Sequence, residues 1–379
     1  METQASVRPR YPGLVDTPET QRWLTELRQA VSSRVTASIA ELSDRHRAIG
    51  DETSDLFTIA TDLLSGGKRL RAAFAAAGWT AFGGAELADP VVRAGAGLEL
   101  FQMAALVHDD IIDASTTRRG RPAAHRQLAH RHRDMAMTGD GDRFGENGAL
   151  LLGDLLLVAA QQEVESGLEA LPGRNRGRGR SILLNMMTEV TVGQYLDIYA
   201  QAAPWSEDPA VDLDRARRVI RAKSASYSVQ QPLRLGAAMA GADEDGLTAC
   251  TAFGLPVGEA FQLRDDMLGV FGDPDLTGKP AGDDLREGKR TVLVTSAMTR
   301  ASAQQRAVLQ QALGNADLQP TQVQQVREIL SATGADREVE ELIADRVAEG
   351  LRVLDEAAVS PNAAAMLRSL VQAAVTRTS

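Results

Sequence analysis

Cysteine is all but absent. Cys250 is the single one in 379 residues, which excludes an internal disulfide framework and suits a reducing, cytoplasmic setting. Aromatic residues make up only 4%; with Ala and Leu abundant, this favours close-packed helices over a sandwich or barrel. Excess positive charge is missing as well. A net charge of −10 argues against general attraction to nucleic acid or to an anionic membrane, although local arginines, lysines or metals can still hold an anionic substrate. The N-terminus has no apolar core of signal-peptide length, and no stretch approaches the roughly 20 apolar residues of a membrane span. Period-2 strand runs, repeats and Pro/Ser-rich linkers are also lacking. These absences leave an all-α protein: a flexible N-terminal segment over residues 1–18 and a single helical bundle domain over 19–379, its core supplied by 44% hydrophobic residues.

What is present follows a helical period. Helices are expected near 20–47 and 55–64, then a break at Gly66 and Gly67, then a second helix ending at "FGG", residues 82–84. Residues 86–113 read as one long helix with Pro90 in its first turn, where proline is tolerated. It would span about 40 Å, and being apolar nearly all round it belongs at the centre of a bundle. Residues 114–147 are polar. Further helices are expected near 148–170, 179–202, 212–240 and 244–270, with shorter ones after them. "LPGRNRGRGR", residues 171–180, reads as an exposed loop between helices, since it lacks aromatics for stacking on bases. His125, His130 and His132 lie among arginines and read as part of a solvated segment, while His108 could orient a carboxylate or merely fill space. Met186, Met187 and Tyr195 read as core or pocket lining.

The charged residues are concentrated. "VHDDIIDASTTRRGRP", residues 107–122, sets Asp109, Asp110 and Asp113 at the end of the long helix and three arginines just after it. Asp109 and Asp113 are four apart and share a helical face. They also sit at a helix C-terminus, where the macrodipole disfavours negative charge. Two unfavourable terms call for a cation, and oxygen ligands suit Mg²⁺, which keeps waters and recruits substrate phosphates. The plainer alternative is a solvated acidic end paired with Arg118 and Arg119. A second cluster weakens that alternative: "FQLRDDMLGVFGDPDLTGKPAGDDLREGK", residues 261–289, repeats the order with Asp265 and Asp266, a glycine-rich loop, and lysines 279 and 289. Two such mouths facing across a bundle would bind a diphosphate through bridging magnesium. "GGKRLR" adds Lys68, Arg69 and Arg71 at a helix start, where anions are attracted. Neither it nor "GDPDLTGKP" has Walker A spacing.

Taken together, these residues closely resemble the trans-isoprenyl diphosphate synthase (polyprenyl synthetase) family, and most of all its bacterial geranylgeranyl diphosphate synthases. The resemblance runs from about residue 55 to 300 and rests on "GGKRLR", "HDDIID" with "RRGRPAAH", "LLGDLLL", "KSASY", and "FQLRDD" with "GKPAGDDLREGK", in the family's order and spacing. It implies an isoprenoid-synthase bundle around a deep apolar cavity, a homodimer, and a Mg²⁺-dependent prenyltransferase with three ions when both substrates are bound. The allylic diphosphate (dimethylallyl, geranyl or farnesyl) would condense with isopentenyl diphosphate to give a short all-trans chain. By the same resemblance Asp109, Asp113 and Asp265 match metal ligands, with Asp110 and Asp266 in support. Arg118, Lys223, Lys279 and Gln262 would hold the allylic diphosphate; Lys68, Arg71 and Arg119 would hold the diphosphate of isopentenyl diphosphate, with Gln102 at the position that contacts it; Ser224 and Lys289 would be further substrate-binding residues.

Three departures from the family are visible. Ser224 stands for a threonine, Gln102 for a histidine, and Gly269 for the last aspartate of the second motif; restoring Asp at 269 is expected to be tolerated. Product length follows from the face of the long helix below Asp109. Ala104 and Ala105 are too small to stop a farnesyl-length tail, and Phe101, roughly 12 Å down the axis, is the first bulky obstacle. The expected product is therefore geranylgeranyl diphosphate (C20), with C25 or longer as the alternative; a phenylalanine at 104 is expected to shorten it. A class I terpene cyclase would need no second diphosphate site, and a non-catalytic partner subunit would not need both acidic pairs.

Overall fold

The computed structural model describes residue 14 and residues 17–272 and 282–376. Nearly all of them are helical. Helix α1 (Pro18–His46) starts on a Thr17 capping box and is followed by α2 (Ser54–Leu64) and α3 (Leu70–Ala81). Helix α4 (Asp89–Ile112) takes Pro90 in its first turn and runs through the centre of the core. By length and hydropathy α4 could cross a bilayer, contrary to the expectation that no segment could, but it is mostly buried among other helices, as a core helix must be.

The polar stretch after α4 is more ordered than expected. It holds a two-residue antiparallel ladder, Thr117–Arg118 against Arg121–Pro122, and then α5 (Ala124–Asp134). Helix α6 (Gly141–Glu169) begins on the Asp140 side-chain cap. His125 and His132 are buried rather than solvated: α5 has an amphipathic pattern, and its inner face lies on α6, where the His132 ring meets Phe144 at 5.3 Å. Residues 173–180, expected in a loop, form the first turns of α7 (Gly173–Ala202). Pro172 supplies the N-cap position, and arginine is a good helix former that offsets the glycines between.

Helix α8 (Pro209–Val219) and α9 (Gln231–Ala240) are one continuous rod interrupted by an 11-residue π-helical segment, Ile220–Gln230. π-turns are rare and cluster at functional sites. This one is gripped on both sides. A Cβ on Gly193 of α7 would lie 2.6 Å from Lys223 N, and one on Gly258 of α10 (Glu244–Phe271) would lie 2.7 Å from Ala225 Cα. Only glycine permits that backbone approach. Short helices α11 (Asp283–Arg286), α12 (Val292–Arg300), α13 (Ala303–Ala312) and α14 (Pro320–Ala332) lead to α15 (Ala335–Glu356) and α16 (Pro361–Val375). Buried Arg264 on α10 ties the end of the chain to the core. Its guanidinium donates to both Glu340 oxygens at 2.6 and 2.8 Å and to the Val375 carbonyl at 3.1 Å. A bidentate pair of this kind fixes orientation as well as position.

Because the groups that a Gly258 Cβ would strike are backbone atoms of the π-segment, they cannot rotate away. Gly258→Ala is therefore expected to lower stability by about 1–3 kcal/mol, read by urea unfolding; an unchanged midpoint would mean that α10 does not clamp the π-segment.

Candidate active site

The C-terminal end of α4 and the facing ends of α7, α10 and the π-segment converge on one polar mouth. Asp109 accepts hydrogen bonds from Gln194 Nε2 of α7 (2.8 Å) and Lys223 Nζ (3.3 Å). The same ammonium reaches Asp197 at 2.6 Å. Burial alone would raise the Asp109 carboxyl, but Lys223, Lys289 and Arg118, with the Gln194 amide, hold it down to about 2. Asp113 lies 3.0 Å from Lys289 Nζ. One of its oxygens is buried without a well-aligned hydrogen bond. Burial pushes its carboxyl up to about 6; Asp109 and Glu287 add to the push and Lys289 opposes it.

The second acidic face is α10 with the turn that follows it. Asp265 keeps partial exposure, whereas Asp266 is buried. Asp266 accepts from Gln262 Nε2 at 2.8 Å, and its other oxygen has no partner. Burial, with Asp284, Asp265 and Asp197 nearby, raises it to about 8 against the pull of Gln262. Lys289 spans the gap between faces, pairing with Asp113 and with Glu287, and the Ser115 hydroxyl after α4 donates to Glu287 at 2.8 Å. The two expected mouths thus meet across the bundle, with the Lys289 ammonium between their carboxylates and Lys223 between Asp109 and Asp197 beside it.

Several expected residues have other partners. Asp110 points away from the ammoniums and is gripped by Arg118, whose Nε donates at 3.0 Å and whose Nη2 also bonds. It therefore orients Arg118. Gln262 spends its amide on Asp266. Lys279 lies outside the described residues. Gln102 accepts from the Tyr227 hydroxyl at 2.6 Å, which leaves its NH₂ as a donor. Arg69 is structural: it is buried, donates to the Leu64 carbonyl at 2.6 Å and faces Glu99 at 3.4 Å. The His108 ring lies over Gly153 of α6, its Nε2 3.1 Å from the Leu150 carbonyl and 3.6 Å from the Asp154 carboxylate.

A basic pocket adjoins this mouth. Arg71 donates to Ser228 at 2.7 Å and lies over the Tyr227 ring at 4.4 Å. Arg119 has a positive φ of 52° and sits against Gly67. Burial, then Arg69, Arg118 and Arg71, lower its guanidinium pKa against the opposing pull of Glu99, so positive charge is concentrated there. Lys68 is exposed beside Gly67, and Ser224 is half-buried next to Lys223.

Below the mouth, Phe101 meets Tyr227 edge-on at 5.5 Å. Ala105 retains some exposure, but Ala104 is fully buried on the stripe through Gly97 and His108 that meets α6. A bulky residue at 104 would therefore press on α6, and 105 is the cleaner place to add bulk. Sequence reasoning missed Gln194, Asp197, Asp284 and Glu287. The polar pair "GQYLD" on an otherwise apolar helix was the available signal for the first two. Tyr195, expected inside, is exposed.

The carboxylates fit magnesium. They are hard oxygen donors; one Asp266 oxygen is buried with no hydrogen-bond partner, and the buried Asp113 oxygen faces the Lys289 ammonium at 3.0 Å. Among the described residues, no three acids or histidines close a cage by themselves, which suits an ion that keeps waters and takes phosphate oxygens.

The polyprenyl synthetase family profile matches residues 54–330. The chain is 30% identical over 337 residues to geranylgeranyl diphosphate synthase of Mycobacterium tuberculosis, covering 85% of this chain and 87% of that one. With the geranylgeranyl diphosphate synthase of Sulfolobus acidocaldarius the identity is 32%, over 66% and 69%. A geranylgeranyl pyrophosphate synthase of Corynebacterium glutamicum, solved with isoprenyl diphosphate and magnesium, superposes with a TM-score of 0.87 at 38% identity, covering 93% of this chain and 99% of that one.

Asp266 gives a pH test of this electrostatic arrangement. Its native pKa, about 8, lies above the unfolded value of roughly 4. The folded state therefore holds the extra proton between those values, and this contribution to stability falls as pH rises toward 8. In metal-free protein, the stability of Asp266→Asn relative to wild type should climb between pH 6 and 8, by at most about 1.4 kcal/mol per pH unit. Urea unfolding at several pH values would show it; a pH-independent difference would mean that Asp266 is ionised throughout.

Proposed function

We infer the function of this chain from the polyprenyl synthetase family to which it belongs: it is a Mg²⁺-dependent prenyltransferase that joins an allylic diphosphate to isopentenyl diphosphate. We propose that its main product is the C20 chain, geranylgeranyl diphosphate, with C25 or longer as the nearest alternative. The observation that carries this reading is the pair of acidic faces, bridged by Lys289 with Lys223 beside it on Asp109, above an apolar helix with alanine at 104 and 105 and its first bulky side chain at Phe101.

Magnesium, when bound by Asp109 and Asp113 on one face and Asp265 on the other, would neutralise the diphosphate and aid departure of the leaving group. The chain supplies the rest. Lys223, Lys289 and Arg118 stand where the leaving diphosphate gathers charge, and Asp110 keeps Arg118 aimed there. Lys68, Arg71 and Arg119 hold the second diphosphate, with the Gln102 NH₂ facing the homoallylic substrate. The apolar walls of α4 exclude water from the allylic cation. The isopentenyl double bond attacks that cation, and loss of one proton, which the departed diphosphate can accept, leaves a chain five carbons longer. A cyclase would leave the Lys68, Arg71 and Arg119 pocket without a use.

Three magnesium ions with both substrates bound, a cytoplasmic location suited to the single free Cys250, and a homodimer complete the proposal. Support for the dimer comes from exposed apolar stripes on adjacent helices: Leu151 and Val158 on α6, and Leu184, Val192, Tyr195 and Tyr199 on α7. Tyr195→Asp should shift sedimentation from dimer toward monomer; an unchanged dimer would place the interface elsewhere.

Labelled isopentenyl diphosphate with C5, C10 and C15 primers is expected to yield mostly C20. Each added unit gains about 3–4 kcal/mol by burial, at about 0.8 per carbon group, so elongation should run until sterics stop it. Ala105→Phe should then shift products toward C15 and Phe101→Ala toward longer chains. Wild-type distributions from both variants would put the floor of the pocket elsewhere.

A further inference from the structure

The π-segment meets both of its neighbours out of step with them. Gly254 and Gly258 stand four apart on α10, yet Cβ atoms built there would each lie 2.7 Å from a Cα five apart, Gln230 and Ala225. On the other side a side chain spans the same interval. Glu189 of α7, one turn before Gly193, accepts from the Ser226 hydroxyl at 2.8 Å and from Gln231 Nε2 at 3.3 Å with one carboxylate oxygen. Ser226 and Gln231 are buried, and the Gln231 N–H donates to the Ser226 carbonyl five residues back, as a π-turn does. The Gln231 amide is held in this sense because its oxygen accepts from Arg234 at 3.1 Å.

We propose that Glu189 is a positioning residue for prenyl transfer: it latches the π register, and that register aims Lys223 at the carboxylates of the mouth. In an α-helix each residue turns by about 100°, so side chains five apart diverge by about 140° and one carboxylate oxygen could not reach both. The wider π-turn brings them together, and Glu189 bonds only that arrangement. Relaxation to an α-helix would turn the chain before the latch by about 100° relative to α9. Helix α9 cannot absorb the turn, because a Cβ on its Gly236 would already strike the Ala75 carbonyl of α3. The turn would fall on Lys223, whose ammonium now lies 2.6 Å from Asp197 and 3.3 Å from Asp109. Glu189 therefore acts on the reaction through Lys223, from the far side of the segment that carries it.

Because this role rests on the metal–diphosphate reading of the site, a double-mutant cycle with Lys223 separates the two. Binding of Mn²⁺ with pyrophosphate is measured by calorimetry on wild type, Glu189→Gln and Lys223→Met, and on Glu189→Ala and Ser226→Ala each alone and combined with Lys223→Met. Circular dichroism and melting of the metal-free proteins run alongside. Glu189→Ala should weaken binding by roughly tenfold, as Lys223→Met does, because a misplaced cation serves no better than a missing one. In the Lys223→Met background it should change binding by no more than about twofold. Glu189→Gln keeps an oxygen that can accept both bonds and should bind nearly as wild type does. Ser226→Ala removes only the shorter bond and should show the same dependence on Lys223 to a smaller degree, which keeps the test open should Glu189→Ala not fold. Equal losses with and without Lys223, or Glu189→Gln no better than Glu189→Ala, would overturn the proposed latch. Failure of wild type to bind Mn²⁺–pyrophosphate, or wild-type binding by Lys223→Met, would instead overturn the metal–diphosphate reading.

Discussion

Everything in this molecule turns on keeping carboxylates apart from one another and from their natural partners while they face a common gap. Like charges in a low-dielectric setting are costly, and here Asp109, Asp113 and Asp197 share two lysines between them. Those ammoniums stabilise the acids without sealing the mouth, because each sits at the end of a long chain that can swing to a phosphate. Several arginines are instead held by fixed partners: Arg118 by Asp110, Arg69 by Glu99 and the Leu64 carbonyl, and Arg264 by Glu340. Arg69 and Arg264 build the frame, Arg118 is aimed by its partner, and the flexible lysines lie among the carboxylates of the gap.

That division needs a frame stiff enough to hold charges against repulsion. Glycines 193 and 258 let α7 and α10 close on the π-segment backbone, and the wide π-turns carry Lys223, Ser224 and Tyr227 on one short stretch. Tyr227 then links three tasks. Its hydroxyl sets the Gln102 amide, its ring carries Arg71, and its edge meets Phe101. Arg71, Gln102 and Phe101 are therefore coupled through one side chain, so on the reading proposed above a change at Phe101 should be felt in isopentenyl diphosphate binding as well as in product length.

Much of this was legible in the sequence, because the strongest signals are local. The apolar period of α4, the four-residue spacing of Asp109 and Asp113, and the break at Gly66 and Gly67 all speak within one or two turns. What was not legible depends on distant parts of the chain. Asp284 comes to lie against Gly269 from 15 positions on, and no window of helical period reveals that. The π-segment reads in the sequence as part of an ordinary helix, and the close backbone approach that glycines on two other helices allow cannot be seen there. His125 and His132 read as solvated from their arginine neighbours, yet the face they share is covered by α6. Tyr195 has the opposite history: it lies on an outward stripe that none of the described residues covers.

The central claim is that lysines hold the place of magnesium and diphosphate, so metal and diphosphate should bind as a unit. The most direct measurement is a calorimetric cycle: Mn²⁺ titrated into wild-type protein with and without saturating pyrophosphate, and pyrophosphate titrated with and without Mn²⁺. The account predicts weak binding of either alone and strong, reciprocal enhancement by the other, since both must displace the same ammonium–carboxylate pairs and linkage requires equal factors in the two directions. Tight Mn²⁺ binding that pyrophosphate leaves unchanged would contradict it.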